Sequence, residues 1–286
     1  MPAPSPHAAR PRMLRALALL LAALALAAVA AGCERRSQDA PAGDEPAASL
    51  RITADHGAEL LHAAPVPAGQ SVMRALRGAV EVDTAYAGGF VAGMLGRRSD
   101  IGGQRDWFLF VNGILSPVGA RDVELADGDA VWWDHRPWGA VMDPWAVVGS
   151  WPAPFTAPAP AVFAEEPLAA ALEEAGAATT ADETAPWRVR AGAGLTAWPE
   201  GDAIVALDAA AGRPAPVPGA GAVIAAVPTA ALPEHGVLVV VAGVDEEAAA
   251  AAAAALADDP ALVRDAYALV LDRAGRPLRA GGRAAP

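Results

Sequence analysis

The chain has 286 residues, of which 54% are hydrophobic, and it carries a formal charge of -12 at pH 7. This length accommodates one or two folded domains, and the acidic balance disfavours nucleic acid phosphates and anionic lipid as partners. The single cysteine excludes a disulfide within the chain and any metal site built from several cysteines.

The N-terminus has the parts of an export signal. Arginines between residues 10 and 15 precede an apolar run over residues 16–31, and small residues lead to Cys33. The segment Ala30-Ala31-Gly32-Cys33 resembles the lipobox of bacterial lipoproteins. The resemblance implies a signal peptide over residues 1–33 that ends at the lipidated Cys33. The alternative is an uncleaved helix, since the run is near the lower limit of about 17 residues for a membrane span. Either anchor places the rest of the chain at the cell membrane, outside the cytoplasm.

Residues 34–49 are polar and rich in alanine, proline and acids, which is typical of a flexible tether. Regular structure is predicted from Leu50, where apolar and polar residues begin to alternate. The predicted elements are strands at 50–53 and 59–62, a helix at 72–76 capped by Ser71, and strands at 80–83 and 89–94. This order predicts an α+β arrangement with a helix on one face of a mixed sheet.

An aromatic stretch from Trp107 to Trp138 holds four of the eight tryptophans. Asn112-Gly113 lies between two apolar runs and supplies the positive φ of a tight hairpin turn. After a second turn at residues 127–129, a strand over 130–134 carries Trp132 and Trp133. Because neighbouring strand residues point to opposite faces, one of these two tryptophans is expected in the core and the other facing outward.

These residues together resemble the transcobalamin C-terminal-like family, a β-grasp module related to the soluble-ligand-binding β-grasp domains. The motifs that carry the resemblance are Ser71-Val72 with Ala75-Leu76, Gly89-Phe90-Val91, Asp106-Trp107-Phe108, Val111-Asn112-Gly113, Gly128-Asp129 and Val131-Trp132. The resemblance implies a β-grasp-like domain over residues 50–140. In transcobalamins such a domain closes over one face of cobalamin, so the resemblance implies cobalamin, or another cofactor, as a bound ligand.

The rest of the chain is predicted to form a linker, a second domain and a tail. Residues 141–165 are proline-rich, yet they carry aromatic residues that a passive linker would not need, so part of this segment is expected to pack on a domain. Over residues 166–275, a buried strand, an alanine-rich helix that begins at Asp245 and a further strand predict a small α/β domain. Residues 276–286 are predicted to be a tail.

The candidate ligand-binding residues are Trp132 or Trp133, on the outward face of the strand, with His135 and Trp138 beyond it. Aromatic faces suit a flat, partly apolar ligand, and the imidazole could add a hydrogen bond. The competing interpretation is that these aromatic residues only form the core of a small domain.

Signs of metal binding and catalysis are weak. Asp127 and Asp129 are interpreted as turn formers, since no later acid closes a calcium loop, and no metal site is predicted. Gly149-Ser150-Trp151 lacks the second glycine of a nucleophile elbow, and the only cysteine belongs to the export signal. We therefore expect a protein that is not an enzyme and has no catalytic residues.

Two main functions remain open from the sequence, and an enzyme in the C-terminal domain is a third, less favoured alternative. The first is a membrane-anchored extracytoplasmic lipoprotein that binds a small ligand, cobalamin or another cofactor, through its N-terminal domain. The alternative is an interaction module of the cell envelope without a small-molecule ligand, which docks a transporter component or another envelope protein through exposed aromatic residues. Nucleic acid is not expected as a partner in either case.

Overall fold

The structure is a computed structural model that describes residues 46–139, 146–156, 161–193, 205–208, 213–229, 236–280 and 283–284. Pro46–Pro286 form one compact unit. The predicted signal peptide, Cys33 and most of the predicted tether lie outside the described residues. No helix in the described part of the chain is long and apolar enough to span a membrane. The predicted boundaries at 50–140 and 166–275 stay predictions.

The N-terminal half is built mainly from strands. Its elements in chain order are β1 (Ala47–Ala54), β2 (Glu59–Pro67), α1 (Val72–Ala79), β3 (Val82–Ala85), β4 (Phe90–Met94), β5 (Arg97–Arg98), β6 (Arg105–Val111), β7 (Ile114–Leu115) and β8 (Ala130–Pro137). Five of the strands form a sheet in the order β2-β1-β8-β6-β7, in which β1 and β8 are parallel and the other neighbours antiparallel. A smaller sheet has the order β3-β4-β5.

Local sequence signals account for the turn and the cap in this half. Asn112 and Gly113 adopt φ angles of 52° and 77°, and the hairpin they make pairs Val111 with Ile114. Two positive φ angles match the twist of the strands that flank a tight hairpin, so the predicted hairpin is confirmed. The hydroxyl of Ser71 accepts a hydrogen bond from the backbone N–H of Arg74 at 3.3 Å, which confirms the predicted cap of α1.

One face of the five-stranded sheet packs against α1 and the small sheet. The buried apolar residues of this core include Leu50 and Ile52 from β1, Leu76 from α1, and Trp133 from β8. Along β1 and β8, alternate side chains point to the same face of the sheet. Those on the face toward α1 form the centre of this core.

The C-terminal half holds a seven-stranded sheet. Its elements in chain order are β9 (Phe163–Ala164), α2 (Leu168–Glu174), β10 (Arg188–Ala193), β11 (Val205–Asp208), β12 (Arg213–Pro216), β13 (Ala222–Pro228), β14 (Val237–Gly243), α3 (Glu246–Asp258), β15 (Ala268–Leu271), β16 (Pro277–Ala280) and β17 (Arg283–Ala284). The sheet order is β17-β16-β15-β13-β14-β10-β9, and β11 pairs with β12 alone. β16 lies in the residues predicted to be a tail and pairs with β15.

The predicted fold class is wrong. The described residues hold seventeen strands and only three α-helices, so the fold is β-rich, and it is neither α+β with an N-terminal β-grasp-like domain nor α/β at the C-terminus. The strand-helix-strand order of β14, α3 and β15 is present, but β13 lies between the two strands and is antiparallel to both. A crossover helix joins two parallel strands of one sheet. The local sequence does not show whether a third strand is inserted between those two strands.

The two large sheets meet through the segment 146–156. Trp151 and Phe155 are buried there and contact each other with ring centroids 5.7 Å apart, so aromatic residues of the predicted linker do pack on the fold. Gly149 lies so close to the opposite wall that a Cβ atom would be 2.9 Å from the backbone oxygen of Ala266 and 2.7 Å from the ring of Trp132. A glycine at this position therefore permits the close approach of the segment.

Candidate functional site

The pairing of β6 with β8 sends the two neighbouring tryptophans to opposite faces of the sheet. Trp132 lies opposite Phe110, and Trp133 lies opposite Leu109. Only 2% of Trp132 and 5% of Trp133 is exposed, so the expectation that one of them faces outward is wrong. The physical reason is that the second face of the sheet is also covered, because Trp132 and Phe110 pack against Tyr267 from the C-terminal half.

Trp132 belongs to a buried polar network centred on Asp134. The Trp132 indole N–H donates to the Thr53 hydroxyl at 2.7 Å, and that hydroxyl donates to Asp134 at 2.6 Å. The Tyr267 hydroxyl donates to Asp134 at 2.9 Å, and the backbone N–H groups of His56 and Gly57 donate at 3.0 and 3.2 Å. Burial raises the pKa of Asp134, and these donors oppose the rise. The network therefore fastens the two halves together.

His56 and Arg136 complete the buried polar network. Burial lowers the pKa of His56 from 6.5 to about 3, and the Arg136 guanidinium acts in the same direction, so the imidazole is neutral at pH 7. Arg136 is fully buried, and its guanidinium carbon lies 3.6 Å from the centre of the Phe108 ring. Neither residue is accessible to a ligand from solvent.

The four predicted ligand-binding residues are not brought together. Trp132 faces the C-terminal half, whereas Trp133 and His135 face the N-terminal core. His135 packs on Trp107 with ring centroids 4.8 Å apart, its Nε2 lies 3.0 Å from the carbonyl oxygen of Arg98, and burial lowers its pKa. Trp138 is half-buried at the end of β8, and its backbone N–H donates to the Gln104 carbonyl oxygen. A ligand-binding role for the four stays a prediction.

An apolar cavity of about 280 Å³ lies on the Trp133 side of the sheet, between β4, β6 and the segment 115–120. Its walls are Gly89, Phe90, Val91, Trp107, Phe108, Leu109, Leu115, Ser116, Val118, Gly119, Ala120 and Trp133. The buried indole N–H groups of Trp107 and Trp133 have no hydrogen-bond partner in the part of the chain that the structure describes. An unpaired buried donor costs about 1–3 kcal/mol, which an acceptor atom at that place would recover.

The neighbourhood of the apolar cavity exposes further hydrophobic surface. Val118, a wall residue, is 50% exposed, and Tyr86 is 86% exposed while its ring meets that of the wall residue Phe90 at 6.1 Å. Tyr86 and Ala87 have φ angles of 49° and 57°, a region that residues other than glycine rarely adopt. Strained backbone of this kind concentrates at ligand clamps and active sites.

A larger cavity of about 530 Å³, which we call the seam cleft, lies where the two halves meet. Its walls come from β1, β2, β8 and the segment 149–156, and they include Trp132, Trp151, Arg51 and Arg264. No three histidine, cysteine, aspartate or glutamate residues in the described part of the chain are grouped so that they could hold a metal ion.

Several of these residues carry no local signal that marks them as site residues. Trp107 belongs to the aromatic stretch and Phe90 to a family motif, and Val118 lies in an irregular segment without a periodic pattern. Arg51 and Arg264 are separated by more than two hundred residues of chain, so no local signal could have joined them.

Comparisons with known proteins give a family match for part of the chain and several similar solved structures. Residues 69–136 match the family described as Domain of unknown function (DUF4430). A solved structure of a candidate metal binding protein from Ruminococcus gnavus ATCC 29149 is 14% identical, covering 32% of this chain and 98% of that chain with a TM-score of 0.28. No curated protein matches the sequence. The chain thus contains a segment similar to the DUF4430 family.

Proposed function

We propose that this protein is an anchored extracytoplasmic binding protein whose apolar cavity takes a small uncharged ligand. The observation that carries the proposal is that Trp107 and Trp133 both line that cavity, and that their buried indole N–H groups have no partner among the described residues. Apolar walls with a few placed donors are the usual composition of small-molecule sites. The ligand is therefore an aromatic or aliphatic molecule that carries a hydrogen-bond acceptor.

The position of the cavity along the chain supports the same assignment. All of its wall residues fall between Gly89 and Trp133, inside the segment 69–136 that matches the DUF4430 family. Its volume of about 280 Å³ lies just below that of known ligand pockets, which span about 300–1,000 Å³. A molecule of two or three rings fits such a space.

The resemblance to the transcobalamin C-terminal-like family adds cobalamin to the ligands to be tested. The corrin ring is larger than the apolar cavity, so only a substituent of cobalamin, and not the ring itself, would enter the cavity. The proposal assigns binding to this protein and no catalytic step.

The proposal is tested by titrating the purified full chain with Prodan, an uncharged naphthalene dye whose ketone oxygen accepts hydrogen bonds, and with cobalamin. We expect saturable binding of the dye that Gly119→Leu weakens at least tenfold. A leucine there fits the backbone, because the nearest atom to a Cβ would be the Gly89 oxygen at 3.4 Å, and it would occupy the cavity. The matched control is Gly78→Leu, where no atom lies within 4 Å of a Cβ. Equal binding by both variants would refute the proposal.

Tyr86 favours a second candidate, the docking of an envelope protein. Tyr86 is 86% exposed beside the apolar cavity, so its ring is available to pack against an apolar side chain of a partner protein. Under this alternative, Tyr86→Ser abolishes capture of a partner from membrane extracts and leaves dye binding intact. Under the ligand proposal, the original protein and Tyr86→Ser capture the same proteins from membrane extracts.

The anchor is proposed from the sequence alone. A lipid on Cys33 gives a mature N-terminus at Cys33 whose mass includes acyl chains, and mass spectrometry of the N-terminal peptide measures it. Peptides from residues 1–32 in the purified protein would show an uncleaved helix instead.

A further inference from the structure

The seam cleft differs from the apolar cavity in its chemistry. It is an open space of about 530 Å³, well within the range of small-molecule sites, and it lies on the opposite face of the five-stranded sheet. Its walls are Ser49, Leu50, Arg51, Ala63, Ala64, Pro65, Gly128, Ala130, Val131, Trp132, Gly149, Ser150, Trp151, Pro152, Ala153, Thr156 and Arg264. The two cavities share no wall residue.

The walls of the seam cleft carry a positive charge on Arg264 that no described ion pair neutralises, whereas Asp265 neutralises Arg51 and the whole chain has a formal charge of -12. They contain two arginines and no aspartate or glutamate. Arg51 pairs through Nε and Nη2 with the carboxylate of Asp265, an ion pair that leaves its Nη1 without a protein acceptor among the described residues. Arg264 is exposed and makes no ion pair in the described ranges. Arginine matches the planar geometry of carboxylates and related anions.

The remaining walls suit the apolar body of a ligand. Trp132 and Trp151 are 2% and 8% exposed, so each contributes a small part of its surface to the cleft. Both rings are fixed, Trp132 by its hydrogen bond to Thr53 and Trp151 by its contact with Phe155. The hydroxyls of Ser49, Ser150 and Thr156 are additional hydrogen-bonding groups in the walls. A site with fixed walls loses little conformational entropy when it binds.

We propose that the seam cleft binds a small organic acid. The anionic group lies at Arg264 and at the free edge of the Arg51 guanidinium, and the aromatic or aliphatic body lies against Trp132 and Trp151. This site is independent of the apolar cavity, so either can be absent without affecting the other.

The test compares two dyes that share an aromatic body and differ in charge. Anilinonaphthalene sulfonate is anionic, and phenylnaphthylamine lacks the sulfonate. With the purified full chain, we expect Arg264→Gln to weaken binding of the anionic dye by about tenfold, the effect of losing one charge-assisted hydrogen bond, and to leave binding of the neutral dye unchanged. Ala63→Trp, at an exposed wall position, is expected to abolish binding of the anionic dye.

Arg74→Gln is the matched control, because Arg74 is exposed on α1 and the change in net charge is the same. An equal loss in Arg74→Gln and Arg264→Gln would overturn the inference, since it would reflect only the overall charge. Loss of the anionic dye in Gly119→Leu would also overturn it, because the dye would then occupy the apolar cavity. Loss of the neutral dye alone in Gly119→Leu supports two separate sites.

Discussion

The hydroxyl of Tyr267 donates a hydrogen bond of 2.9 Å to the carboxylate of Asp134 across 133 residues of chain. This contact joins the C-terminal half to the central strand β8, and both side chains are buried. The Tyr267 ring also packs edge-on against Phe110 and Trp132. The pair therefore fixes the second face of the five-stranded sheet and turns Trp132 from a surface residue into a core residue.

Removing the Tyr267 hydroxyl tests how much this contact stabilises the fold. Tyr267→Phe keeps the ring and leaves the buried carboxylate with one donor fewer, so we expect the free energy of unfolding to fall by about 1–3 kcal/mol. Urea denaturation measures the change. Tyr86→Phe is the matched control, because its side chain is 86% exposed and its loss of a hydroxyl should cost nothing measurable. Equal stabilities of the two variants would contradict the structural role.

His56 predicts a pH dependence of stability. Its pKa is about 3 in the folded protein and 6.5 in the unfolded chain. Between these values the unfolded chain binds the proton and the folded protein does not, so stability falls as pH falls through this window. The slope is about 1.4 kcal/mol per pH unit.

The variant His56→Asn isolates this contribution, because asparagine tolerates the positive φ of 61° at this position. Asp134, whose raised pKa acts in the opposite sense, is present in both proteins and cancels in the comparison. We expect the stability of the variant to fall less steeply between about pH 6 and about pH 4. If stability depends on pH in the same way in the original protein and in His56→Asn, then His56 binds its proton in the folded state as it does in the unfolded chain.

Gly149 tests the close approach of the segment 146–156. In Gly149→Ala, the new Cβ atom meets the backbone of Ala266 and the ring of Trp132, so we expect a loss of about 1–3 kcal/mol in the free energy of unfolding. Gly78→Ala is the control, since Gly78 lies in α1 with no atom within 4 Å of a Cβ and alanine favours a helix by up to about 1 kcal/mol. Thermal or urea unfolding distinguishes the two, and a neutral Gly149→Ala would show that the segment can move away.

Local features could be predicted from the sequence, and long-range ones could not. The turn at Asn112-Gly113 and the cap at Ser71 depend on neighbouring residues, and both were predicted correctly. The burial of Trp132 depends on Tyr267, and the charge of the seam cleft depends on Arg51 and Arg264. The alternation of apolar and polar residues along a strand identifies the two faces of a sheet. It does not identify the segments of the chain that pack on each face.

The fold class failed for a related reason. The strand-helix-strand order around α3 predicts an α/β domain, but β13, which precedes all three elements in the chain, occupies the position between β14 and β15 and is antiparallel to both. Strand order within a sheet is a property of the whole chain, because it depends on contacts between distant segments.

The most direct test of ligand binding in the apolar cavity is the NMR spectrum of the tryptophan indole N–H groups, assigned with single Trp→Phe variants of the full chain. We predict that an uncharged ligand with an acceptor group, such as the naphthalene ketone Prodan, shifts the resonances of Trp107 and Trp133, whose N–H groups have no partner among the described residues. The resonance of Trp132 should stay in place, because its N–H already donates to Thr53 at 2.7 Å. A shift of Trp132 alone, or no shift of Trp107 and Trp133 at saturation, would contradict the claim.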